Sequence, residues 1–89
     1  MSASQYAIEI RITPRPGILD PEGETIARAL SNLGYEGVSR VRVGRLIRLA
    51  LRAEDPEAAR AEVSRMCEEL ISNPLIEDYE IRVAEAEEP

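Results

Sequence analysis

The sequence contains no histidine and no lysine, so every basic side chain in it is an arginine. Without those two residues there is no imidazole base or metal ligand, no amine for a Schiff base and no lysine for a phosphate-binding P-loop. An enzyme working with its own residues is therefore not expected. Tryptophan and phenylalanine are absent as well. Readers of single-stranded RNA stack bases on aromatic rings, and a formal charge of −6 opposes any surface that must neutralise phosphates, so nucleic acid is not an expected partner. Cys67 is the one cysteine, which rules out an internal disulfide and a CxxC pair. Core packing is the first reading of it, a reactive thiol the second. No apolar run approaches the roughly 18 residues of a membrane span. The N-terminus has no charged segment leading into an apolar one, so a cytoplasmic protein without membrane association is expected.

What is present suits one small domain, taken as residues 1–84, followed by an acidic tail, 85–89. A chain of this size buries only about 60% of its unfolded surface and is commonly helped by association. From Tyr6 to Thr13 the residues alternate, with Tyr6, Ile8, Ile10 and Ile12 on one face, the period of a half-buried strand. Pro14, Pro16 and Gly17 stop it. Asp20-Pro21 is a strong helix start, and Ile26, Ala29, Leu30 and Leu33 then form one apolar stripe up to Gly34, which fits a left-handed helix end. A second strand is expected from about Val38 to Val43, a tight hairpin turn at Gly44-Arg45, and a third strand from Leu46 to Ala53. Asp55-Pro56 repeats the helix start. Ala59, Val63, Met66 and Leu70 make the second stripe, and the helix is expected to stop near Ser72-Asn73-Pro74. A last strand buries Tyr79, Ile81 and Val83.

This order predicts an α+β, ferredoxin-like βαββαβ fold: a four-stranded antiparallel sheet with two helices on one face. The open face then carries Glu9, Arg11, Arg40, Arg42, Arg48, Arg52, Glu80 and Arg82, while the acid sits on the helices and in the tail. Such a face is either a solvated surface of cross-strand pairs or a protein interface. Open sheet edges and an uncovered face predict self-association, with a dimer as the minimum.

Gly23 breaks the local rules, because glycine in the first turn of a helix costs roughly 0.5–1 kcal/mol relative to alanine. Close approach of another backbone or of a partner is the expected reason. If a neighbouring subunit makes that approach, Gly23→Ala leaves the isolated chain as stable or slightly more stable and weakens assembly instead.

Together, Gly-Ile-Leu-Asp-Pro-Glu-Gly at 17–23, Ala-Leu-x-x-Leu-Gly-Tyr at 29–35, Val-Arg-Val-Gly-Arg at 41–45, Met-Cys-Glu-Glu-Leu at 66–70 and Asn-Pro-Leu-Ile-Glu-Asp-Tyr-Glu-Ile at 73–81 resemble the PurS family. These are small subunits of phosphoribosylformylglycinamidine synthase. The resemblance implies a non-catalytic part of a purine-biosynthetic complex that uses ATP, magnesium and glutamine, none of them bound by this chain. It implies a homo-oligomer, dimer or tetramer, that holds a glutaminase subunit (PurQ) and a large synthetase subunit (PurL) together, so that a diffusible intermediate is not lost. Matched onto the family's motifs, Asp20, Pro21, Gly23, Arg42, Gly44, Arg45, Asn73, Pro74, Glu77 and Asp78 are the interface candidates, and for each a purely local role in a cap or turn stays open. Arg15-Pro16-Gly17-Ile18-Leu19 also resembles the strand-to-helix turn of ACT domains, which implies as an alternative a regulatory module binding an amino acid at a subunit interface. An acylphosphatase-like phosphate loop at Pro14–Gly17 would have an arginine but too few backbone donors, since its two prolines have no N–H.

Overall fold

The computed structural model describes residues 4–85. Strand β1 (Ser4–Pro14) is central, and β2 (Arg45–Ala53) and β3 (Glu77–Glu85) pair with it antiparallel on either side, giving the order β2-β1-β3. Ile10 lies opposite Ile47 on one side and Ile81 on the other, so the expected inward set is in register across all three strands. Tyr6, Ile8, Ile10 and Ile12 are buried, as their alternation requires. Helix α1 spans Pro21–Asn32 and helix α2 spans Pro56–Met66. Both open as the Asp-Pro pairs predict: Asp20 accepts from the Gly23 N–H and Asp55 from the Ala58 N–H. Gly34 has φ +102°, with Gly34 N–H donating to Ser31 O and Tyr35 N–H to Leu30 O, the paired bonds of a Schellman helix end.

Three expectations are corrected. The sheet has three strands among the described residues, not four, and residues 38–44 pair with no strand. Arg40 sits in the left-handed region at φ 59°, which interrupts an extended run, and the Val43 N–H is taken by the Asp20 carboxylate instead of a ladder. No turn hydrogen bond closes across Gly44-Arg45; the chain runs on directly into β2, with Gly44 lying over the Ile12 carbonyl. Arg40 and Arg42 are therefore not on the open sheet face, whereas Glu9 is there, between Arg48 at 3.4 Å and Arg82 at 3.9 Å. Exposed pairs of this kind are worth at most about 1 kcal/mol each.

Second, the two helices do not share one face of the sheet. Helix α2 packs on β2 and β3, and its Ala59 and Val63, with Cys67 just past its end, close the core over Ile8, Ile10 and Ile12. Helix α1 buries only Gly23; Leu33 is 73% exposed and Ile26 also faces outward. The radius of gyration is 17.1 Å, against about 12 Å for a compact chain of this length. The molecule measures 58 × 31 × 15 Å, a flat core with α1 projecting from it.

Third, Leu70 does not join the second apolar stripe. At Cys67–Ile71 the helix widens into a π turn that ends at Ser72. Cys67, four residues after Val63, still falls on the buried line, and the wider turn that follows rotates Leu70 away, leaving it 86% exposed. Ser72 closes the turn, with both its N–H and its hydroxyl donating to Cys67 O at 3.0 Å. The thiol of Cys67 is pushed up by burial, with the neighbouring Glu68 carboxylate adding to the effect. Glu85, assigned to the tail, pairs with Tyr6 in β3; the rest of the expected tail, 86–89, lies outside the described residues.

Candidate functional site

All ten interface candidates gather at one end of the sheet, where β1 finishes and β2 and β3 begin. The chain leaves β1 through Arg15-Pro16-Gly17-Ile18, in which Ile18 N–H donates to Arg15 O and Gly17 has φ +87°, as a type II turn with proline second and glycine third requires. This delivers Asp20 to the start of α1. One carboxylate oxygen accepts from Gly23 N–H at 3.0 Å and the other from Val43 N–H at 2.9 Å. The Val43 and Gly23 N–H groups hold the carboxyl below its ordinary value, Arg42 adds to this, and partial desolvation opposes it.

The returning segment 41–45 crosses the first turn of α1. A Cβ on Gly23 would sit 2.5 Å from Val41 O, so the close approach expected there is made by the chain's own backbone. Arg42 donates to the carbonyls of Pro14 and Arg15, tying the same segment to the end of β1. Those two carbonyls are thus engaged, and the amino-acid-binding reading of the Arg15–Leu19 turn gains nothing from the geometry.

Glu77 is the hub on the other side. Its carboxylate takes Arg45 at 3.0 and 3.2 Å and the Asn73 N–H at 2.8 Å, while Arg45 also donates to Ile71 O, the end of the π turn. Asn73 shapes the loop around Pro74, accepting Leu75 N–H on its side chain and Ile76 and Glu77 N–H on its carbonyl. Asp78 lies 3.4 Å from Arg15, whose own N–H donates to Ile76 O. Arg15 thus staples the two halves of this end together, a role that sequence reasoning missed. Pairing of Pro14 with Glu77 is what brings it there, and no local pattern signals that register.

A separate cluster joins α2 to β3. The Tyr79 hydroxyl lies 3.1 Å from Ser64 and donates to Glu68 at 2.9 Å. The Ser64 contact alone would favour the phenolate, but the bond to Glu68, desolvation and the carboxylate charge together outweigh it and raise the tyrosine. Nearby, Arg60 donates to Ile81 O at 2.8 Å and covers part of the free edge of β3. Among the described residues no three histidine, cysteine or acidic side chains are grouped to hold a metal ion, and no helix is long and apolar enough to cross a membrane.

Fold and site together define a small α+β protein with one covered sheet face, a cross-braced polar end and a helix whose apolar stripe is left largely exposed. Residues 7–85 match the family profile PurS, phosphoribosylformylglycinamidine (FGAM) synthase. The chain is 40% identical over 82 residues to the PurS subunit of phosphoribosylformylglycinamidine synthase from Methanocaldococcus jannaschii, covering 92% of this chain and 99% of that one. Its backbone is similar to the crystal structure of the PurS subunit from Thermotoga maritima, with a TM-score of 0.84, 36% identity, and 94% and 97% of the two chains covered. It is also similar to a chain in the structure of PurLQS from that organism, with a TM-score of 0.82, 38% identity, and 90% and 98% covered. The chain belongs to the PurS family.

Proposed function

We propose that this chain works as the non-catalytic assembly subunit of a cytoplasmic phosphoribosylformylglycinamidine synthase, in the step that converts formylglycinamide ribonucleotide to the amidine. ATP, magnesium and glutamine are used by the partner subunits, a synthetase and a glutaminase, and none is held by this chain. The observation that carries the reading is helix α1, which is capped at both ends and has an apolar stripe at Ile26, Leu30 and Leu33, of which Leu30 is only half-buried and Ile26 and Leu33 are exposed. Burying a large aliphatic side chain is worth about 1.5–3 kcal/mol, so this stripe favours contact with another molecule, and a second copy of the chain is the occupant we assign to it. A homodimer is the minimum assembly and a tetramer a further step.

The cross-braced end of the sheet, with Asp20, Pro21, Gly23, Arg42, Gly44, Arg45, Asn73, Pro74, Glu77 and Asp78, is the surface we assign to the larger subunits. Its polar groups brace one another internally, and Leu19 and Leu75 stand exposed beside them. The similarity to a chain of PurLQS supports a three-component complex.

The test is reconstitution. Mixed with purified glutaminase and synthetase subunits, nucleotide and glutamine, the chain should comigrate with both and restore glutamine-dependent formation of the amidine. A chain that stays apart and leaves the rate unchanged would refute the reading.

A further inference from the structure

Helix α1 has its one fully buried residue, Gly23, in its first turn; beyond it Ala27 and Leu30 are half-buried and the other positions are exposed. Three contacts act at that turn. The Asp20 carboxylate joins the Gly23 N–H of the helix to the Val43 N–H of the returning segment. Gly23 allows the Val41 carbonyl to lie against the helix, and Arg42 ties the returning segment to the last carbonyls of β1. Of these, only the carboxylate bonds both to the helix and to the segment that is anchored on the sheet.

We propose that Asp20 is a positioning residue that sets the angle at which α1 projects from the sheet, and that this angle governs how tightly a second copy of the chain is captured on the apolar stripe. The inference rests on the reading of that stripe as the homodimer surface. An arm that samples many angles lowers the apparent affinity by the fraction of time it is competent to bind, so a latch that removes the wrong angles strengthens assembly without adding any contact to the partner.

Two variants separate the latch from ordinary helix capping. Asp20→Asn keeps the size but has one acceptor oxygen, and Asp20→Ser keeps a capping hydroxyl for Gly23 while having no second oxygen for Val43. Nitroxides placed at Ser31→Cys and Arg52→Cys, in doubly labelled chains diluted with unlabelled chain, report the helix-to-sheet distance; Cys67 is buried and escapes labelling. Both variants should broaden that distance distribution, speed exchange of the Val43 amide at least tenfold and raise the dimer dissociation constant at least tenfold. Protection of the Ile8 and Ile10 amides should stay unchanged.

A distribution as narrow as in the wild type overturns the proposal, and so does a broadened one with an unchanged dissociation constant. Loss of protection at Leu30 and Leu33 in both variants also overturns it, since Asp20 would then be only a cap. A monomeric wild type would remove the homodimer reading and the capture step with it, while the distance distributions would still decide whether Asp20 sets the angle.

Discussion

Gly23 and Val41 touch backbone to backbone: a methyl group on Gly23 would lie 2.5 Å from the Val41 carbonyl oxygen and 2.7 Å from Asp20 Oδ2. The contact is internal, which reverses the expectation drawn from helix propensity. Gly23→Ala should destabilise the isolated chain by about 1–3 kcal/mol, the usual cost of overpacking, despite the gain of up to about 1 kcal/mol in helix propensity. Urea unfolding of the two proteins at equal concentration measures it, and a variant as stable as the wild type would show that the segment 41–43 moves aside freely.

Acid should release the same junction. The folded value of Asp20 lies below its ordinary 3.8, so the carboxylate stabilises the fold fully above the unfolded value, and that contribution is lost as the pH falls through the folded one. The gap in thermal midpoint between wild type and Asp20→Asn should be constant above about pH 5 and close as the pH drops below 3.8. A gap that stays constant down to about pH 2 would contradict this assignment.

Leu33→Ser probes the uncovered stripe. Leu33 is exposed in the single chain, so the substitution should change the stability of the monomer by no more than about 0.5 kcal/mol. The dissociation constant of the homodimer should rise about ten- to a hundredfold, the equivalent of about 1.5–3 kcal/mol of lost burial. Sedimentation equilibrium reads the second quantity, and chemical unfolding under dilute conditions reads the first.

Ile10 is fully buried where all three strands meet. Ile10→Ala should cost about 2–5 kcal/mol, and the cost should appear in the cooperative unfolding of sheet and α2 together. Separate unfolding of α1 at lower denaturant, followed by circular dichroism, would fit a helix that the core does not hold.

The sequence carried much of this in short-range form. Both Asp-Pro starts, the glycine end at Gly34, the stop near Pro74 and the four inward residues of β1 depend on groups within a few positions of one another, so their chemistry is visible one segment at a time. Shared motifs likewise brought the ten candidate residues together before any geometry was known. Their convergence needed the pairing of Pro14 with Glu77 and of Ile12 with Arg45, which joins positions far apart in the chain.

Only the tertiary structure decided what residues 38–44 do. An alternation only two pairs long, Arg40-Val41 and Arg42-Val43, suits an edge strand and an extended connector equally, and the choice fell to Asp20, which takes the Val43 N–H, and to Arg42, which reaches Pro14 and Arg15. It also decided that Leu70 leaves the core, because a π turn changes the period midway along an otherwise regular stripe. The stripe on α1 marks the limit of sequence reasoning most clearly. Hydrophobic periodicity says that Ile26, Leu30 and Leu33 share a face to be covered, but water exclusion has no direction, and nothing in the pattern distinguishes the chain's own sheet from another molecule.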